Sequence, residues 1–144
     1  MTDITPFQPS DYEEAIALWQ RTEGVTLRSA DSCEAVLQYL KRNPGSSFVA
    51  REQDTLVAAV LGGHDGRRGY LHHLAVAPTH RGRGIGRALA ERVLTALGTQ
   101  GIHKCHLMVR ADNADALAFW AHIGWAQRAD LVIMSRTDPI AANA

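Results

Sequence analysis

The apolar positions of this chain change period several times, and each change predicts an element. Ile4 to Phe7 is a short run that reads as a first strand. Ala15, Leu18 and Trp19 then recur at helical spacing, with Ser10 or Asp11 in the place of a cap, which predicts a helix to about Arg21. Residues 22–30 form a loop containing Glu23, Gly24 and Thr26. Asp31, with Glu34 three residues later, has the form of a capping box with Asp in the Ser/Thr place, and opens a second helix. Asn43-Pro44-Gly45 stops it. Ser47 to Glu52, Thr55 to Gly63 and Gly69 to Val76 read as strands, parted by turns at Gln53-Asp54 and His64-Asp65-Gly66.

Pro78 ends the fourth strand. Arg81 to Gly86 is a glycine-rich turn, and the stripe Ile85, Leu89, Val93 and Leu97 marks a packed helix behind it. Gly98 and Gly101 release that helix, and Lys104 to Val109 reads as a fifth strand. Asp112 or Asn113 caps a helix through His122, which Gly124 ends. Trp125 to Ala129 and Leu131 to Arg136 read as two closing strands. The order is β-α-α-β-β-β-α-β-α-β-β. Three consecutive strands with short turns imply antiparallel pairing, and the strand–helix–strand unit over residues 70–109 implies a parallel pair. The expected fold is α/β: a mixed, twisted sheet of about seven strands with four helices on both faces. Residues 1–137 form one domain, and residues 138–144 a frayed tail.

Length and charge narrow the function. The chain has 144 residues, which suits one domain able to bury a sizeable core without a disulfide or metal staple. Fifteen Lys and Arg balance fifteen Asp and Glu, which argues against a strongly basic nucleic-acid or membrane-surface binder. An anion site must then be a local cluster. The longest apolar run, Leu56 to Gly63, is far short of the ~20 residues that span a bilayer. The start lacks the basic and apolar regions of a signal peptide, and Cys33 and Cys105 have no metal-ligand or CxxC spacing. The expectation is a cytoplasmic protein with two buried or partly buried thiols. His103 and His106 face opposite sides of a strand, so no metal is expected.

The sharpest local feature is Arg81-Gly82-Arg83-Gly84-Ile85-Gly86-Arg87, between a strand and a helix. Glycines let backbone amides approach a ligand, and the helix start adds free N–H groups and a positive dipole end. Three arginines there repel one another, and a bound phosphate relieves the repulsion. A Walker loop needs Gly-Lys-Ser/Thr where this chain has Gly86-Arg87-Ala88. A dinucleotide fingerprint needs a third glycine where this chain has Arg87. Both nucleotide readings fail on the pattern.

Leu74-Ala75-Val76-Ala77-Pro78 followed by that turn resembles the acetyl-coenzyme-A motif of the GNAT N-acetyltransferases. Asn113 with Ala116, Phe119-Trp120 and Gly124-Trp125 resembles a second segment of the family. The two motifs and the element order cover nearly the whole chain. The resemblance implies that the backbone of Leu74, Ala75 and Val76 bonds the pantetheine arm. It also implies that the amides from Gly82 to Arg87, with Arg81, hold the pyrophosphate of acetyl-CoA, through Gly82, Arg83, Gly84, Ile85, Gly86 and Arg87. Asn113 contacts the arm. N–H groups near Val76 polarise the thioester carbonyl. The reaction implied is acetyl transfer from acetyl-CoA to a primary amine by direct attack in a ternary complex. The acceptor is a small molecule or a protein N-terminus, and small domains of this family often form homodimers.

One departure stands out. The family often has Tyr as general acid where this chain has Trp120, and an indole N–H cannot deliver a proton at neutral pH. Trp120 then packs beside the thioester arm. The departure also motivates an alternative, a non-catalytic acyl-CoA-binding or interaction module. The attacking amine must lose a proton, so a base or a water chain is needed. In Tyr70-Leu71-His72-His73, strand alternation puts Tyr70, His72, Leu74 and Val76 on one face and His73 on the other. His72 is the favoured base or water-relay member, with Tyr70 beside it, and His73 is read as structural. Glu23, in the loop between the first two helices, can bind an ammonium group. Gly62-Gly63 marks either a close backbone approach or a bulge.

Overall fold

The computed structural model describes residues 2–141 and 143–144. Its elements are β1 (Thr2–Pro6), α1 (Tyr12–Gln20), α2 (Cys33–Arg42), β2 (Phe48–Glu52), β3 (Thr55–His64), β4 (Gly69–Val76), α3 (Ile85–Thr99), β5 (Cys105–Leu107) and α4 (Ala114–His122). The sheet runs β1-β2-β3-β4-β5 in space. Its first four strands pair antiparallel, and β5 joins β4 in parallel. Among the described residues, no helix is long and apolar enough to cross a membrane.

The sheet is covered on both faces, as the mixed pattern requires. On one face α3 presents Ile85, Leu89, Val93 and Leu97, all buried. Close approach there is secured by glycine: a Cβ on Gly62 would run into the Ser46 carbonyl and the Val93 methyls, and one on Gly69 into Leu97. On the other face lie α1 and α2. A Cβ on Gly63 would strike Tyr39 and Asn43, so the Gly62-Gly63 pair of β3 admits a helix on either side. Trp19, Leu18 and Val36 are fully buried beneath this second layer.

Three sequence expectations change. Among the described residues the sheet has five strands rather than about seven, because residues 125–129 and 131–136 form no ladder. A strand is made by its neighbour, and Leu131 to Met134 are four consecutive apolar residues with no alternation to commit one face to a core. They stay exposed, Val132 at 86% and Met134 at 90%. Secondly, the cap of α2 is Ser32, whose Oγ accepts the Ala35 N–H at 3.2 Å. Asp31 is one residue outside the helix and is free for other partners. Thirdly, Cys33 is exposed on the first turn of α2, while Cys105 is partly buried. At the C-terminal end, the Asn143 carbonyl accepts the Ser29 N–H at 3.0 Å.

Candidate active site

Strand β4 organises the site, and it is interrupted twice. The first interruption is a bulge. Leu61 pairs with His72 and Ala59 with Ala75, so β4 spends one residue more than β3 between these pairs. His73 absorbs it with φ +56°, a conformation that costs a non-glycine residue about 1–3 kcal/mol. The bulge overturns the alternation expected for the two histidines: both rings reach the α1–α2 face. His72 meets Tyr39 of α2, with centroids 6.1 Å apart, and His73 meets Trp19 of α1 at 5.3 Å.

The two rings nevertheless have different surroundings. His72 lies in a row with Tyr70, stacked at 6.4 Å, and Tyr70 lies in turn against His106. Burial holds the His72 imidazole below its ordinary pKa; the neighbouring His73 adds to this and Asp31 opposes it. His73 instead opens on a cleft of about 150 Å³ whose wall includes Glu23, Leu71, Leu74, Arg110, Asn113 and Trp120. His73 Nε2 lies 2.7 Å from Asp31 Oδ1. Asp31 is itself buried, its Oδ2 accepting the Arg28 N–H at 2.9 Å and its backbone carbonyl the Tyr12 hydroxyl at 2.6 Å. Beneath His73, the indole N–H of the fully buried Trp19 has no hydrogen-bond partner among the described residues. An orphaned buried donor costs about 1–3 kcal/mol.

Thus the structure gathers Glu23, Asn113 and Trp120 around one cleft and leaves His72 and Tyr70 in the aromatic row behind it. Asn113 caps α4 by accepting the Ala116 N–H through Oδ1 at 3.1 Å, and its amide nitrogen sits against Gly24. Trp120 is buried edge-on between Phe119 and Trp125. The sequence offers Asp31 only as a helix cap and Trp19 only as an apolar position of the first helix, and neither as a neighbour of His73. Nothing in their spacing marks them, because they meet His73 from 42 and 54 positions away in the chain.

The second interruption is the turn after Val76. Ala77 N–H bonds the Val57 carbonyl of β3 at 2.7 Å. By alternation the peptide groups of Ala75 also face β3, while those of Val76 and Leu74 face the other way. Val76 indeed turns its carbonyl to Arg81 Nε, 3.0 Å away. On that side β5 has already parted, its pairing with β4 ending at Leu71 and Leu107. Beyond Pro78, Gly82 and Gly84 have φ +78° and +81°, and Gly84 stands at the N-cap of α3. A Cβ on either would meet nothing within 4 Å, so backbone conformation, not crowding, demands glycine there. Among the described residues, no carbonyl or side chain accepts from the N–H groups of Gly82 to Arg87; the first α3 bond is Ala88 to Gly84. Arg81, Arg83 and Arg87 are exposed around this cradle of amides. Among the described residues, Arg83 makes only a long contact to Glu52, 3.5 Å. Gly86 packs against Phe119 of α4, which ties the cradle to the helix that carries Asn113 and Trp120.

A cradle of unpaired amides at a helix start, beside a strand with a free edge and a polar cleft, suits an elongated ligand with phosphate at one end. Comparisons with known proteins agree. Residues 11–125 match the family model described as Acetyltransferase (GNAT) family. An acetyltransferase of Sodalis glossinidius is 32% identical over 135 residues, which cover 93% of this chain and 94% of that protein. The crystal structure of Ard1 from Thermoplasma volcanium superposes with a TM-score of 0.76 at 23% identity, over 89% of this chain and 84% of that one. The structure of AAC(6')-Iy in complex with a bisubstrate analogue of CoA also gives 0.76, at 16% identity, over 96% of this chain and 99% of that one. With the amide cradle, the open β4 edge and the matching family model in agreement, the chain belongs to the GNAT acetyltransferase family and is an acetyl-CoA-dependent N-acetyltransferase.

Proposed function

We propose that the cradle from Arg81 to Arg87 holds the pyrophosphate of acetyl-CoA, and that its arm lies along β4 toward the cleft. The observation that carries this reading is the run of unpaired N–H groups from Gly82 to Arg87 at the start of α3. The arm takes its hydrogen bonds from the peptide groups of Leu74 and Val76, which face the gap left by β5, whereas Ala75 lines the arm's path with its backbone committed to β3. Asn113 and Trp120 flank the arm on the α4 side. The amine acceptor enters beside Glu23, whose exposed carboxylate at the cleft attracts an ammonium group. His72 and Tyr70, behind the wall, serve as a relay that passes the released proton outward. The acceptor is thus a cationic primary amine, small or carried on a protein N-terminus, and the reaction takes place in the cytoplasm. The two free thiols agree with that compartment.

Gly84→Asp tests the cradle. It puts a side chain and a negative charge where the phosphate belongs, at φ +81°. Calorimetry is expected to show acetyl-CoA affinity at least tenfold lower, about 1.4 kcal/mol. Unchanged affinity in a folded variant would refute the placement.

A further inference from the structure

We propose that His73, oriented by Asp31, is the group that takes the proton from the attacking amine; the proposal rests on the cleft being the acceptor's place. Four observations converge on this ring. The bulge turns it out of the strand's alternation into the cleft, at a strained φ of +56°. Its Nε2 is engaged by the Asp31 carboxylate at 2.7 Å. Among the described residues its Nδ1 has no hydrogen-bond partner. It rests on Trp19, whose buried indole N–H is itself unsatisfied. Strain and an orphaned donor stacked at one place are poor choices for stability alone and typical of places where geometry serves function.

The chemistry follows from the tautomer. A carboxylate accepting from Nε2 fixes the proton there and leaves the Nδ1 lone pair free to act as a base. Asp31 is held from behind by the Arg28 N–H, so its carboxylate is directed at His73 and not into solvent. The acceptor arrives as an ammonium carrying three protons. His73 Nδ1 removes one, freeing the nitrogen lone pair. The nitrogen bonds to the acyl carbon as the carbon–sulfur bond breaks, and a second proton from nitrogen ends on the departing sulfur. His73 then passes its proton to water in the open cleft; the His72 ring, its centroid 6.4 Å away, is beyond direct hydrogen-bond reach and is linked only through such water. The charged and titratable groups around His73 are Asp31 at its Nε2, Glu23 and Arg110 in the cleft wall, His72 on its own strand, and Tyr12, whose hydroxyl bonds the Asp31 carbonyl.

The experiment follows CoA thiol release from acetyl-CoA with two probe nucleophiles. Ethylamine must lose a proton to react, while hydroxylamine is already neutral near pH 7.5. The variant is His73→Asn, because Asn tolerates positive φ and keeps the bulge. His73→Asn is expected to lower kcat with ethylamine by ~10²-fold or more, to affect hydroxylamine far less, and to leave calorimetric acetyl-CoA affinity intact. Asp31→Asn is expected to lower the ethylamine rate and displace the rising limb of its pH profile. Equal losses with both nucleophiles, or no loss with either, would overturn the proposal. Nitrogen NMR of the His73 ring reads the same question without turnover. A neutral ring protonated at Nε2 supports the role, and one protonated at Nδ1 refutes it even if neither probe reacts. Failure of the cradle placement would show separately, as Gly84→Asp leaving acetyl-CoA binding unchanged.

Discussion

The two ends of β4 break regularity in opposite ways. At the bulge, the extra residue forces side chains into a crowded layer, where His73 meets Trp19 and Asp31, and His72 meets Tyr39. At the turn, glycines strip side chains away and leave bare amides facing open space. One end is a place where packing and chemistry share the same atoms, and the other separates them. Substitution at the bulge end should therefore act on stability through crowding. At the turn end it should act through backbone conformation and ligand charge.

The sharpest way to break this contrast is Gly62→Ala. Gly62 pairs with Leu71, just before the bulge, and a Cβ there meets the Ser46 carbonyl and lies 2.6 Å from a Val93 methyl. Overpacking of this kind costs roughly 1–3 kcal/mol, and the upper end is expected because one of the atoms struck is backbone. Calorimetry should show Tm falling by roughly 2–4 °C per kcal/mol for a chain near this size. A Tm equal to that of the unsubstituted protein would mean the sheet–helix contact is loose. Gly84→Ala comes next. Its Cβ meets nothing within 4 Å, so only the φ of +81° opposes it, at about 1 kcal/mol. Its acetyl-CoA affinity should fall less than that of Gly84→Asp, since no charge is added. A larger loss of stability than in Gly62→Ala would reverse the contrast.

The smallest effect concerns pH. Burial lowers the His72 pKa from its ordinary 6.5, so above that range His72 is neutral in folded and unfolded chains alike. As pH falls through 6.5, the unfolded chain takes up a proton that folded His72 does not, and stability drops. The drop ends once folded His72 also protonates. Urea midpoints measured for the native chain and His72→Phe should therefore diverge on going from about pH 7.5 to about pH 5.5, the native chain losing more. Parallel midpoints would show that the aromatic row shields His72 less than its burial indicates.

The sequence carried the turn end almost completely. Glycine spacing, the Ile85–Leu97 stripe and the apolar strand before Pro78 are local signals, and each element formed within a residue or two of its expected bounds. The bulge end was legible only in part. Tyr70 and His72 are visible as candidates and His73 reads as structural, but assigning faces by strict alternation fails once β4 spends an extra residue, and no residue type in His72-His73-Leu74 announces that. Asp31 reads as a helix cap because a capping pattern describes spacing alone; Ser32, one position on, takes the cap and frees the carboxylate. The closing strands fail for a related reason, since a strand depends on a partner that its own residues do not encode.

Past Leu71 and Leu107, β4 runs on without β5, and the peptide groups of Leu74 and Val76 face the gap. A surface made of peptide groups is blind to the codon above it. Leu74 and Val76 are free to drift among apolar residues with the hydrogen-bond donors unchanged. Proline, which removes the N–H, is the one replacement that erases a donor outright. On the proposed placement, the acetyl-donor half of the enzyme is thus buffered against genetic change, while an acceptor half built from side chains such as Glu23 can be rewritten one mutation at a time. A chain of this design can change what it acetylates without relearning how to hold the acetyl group.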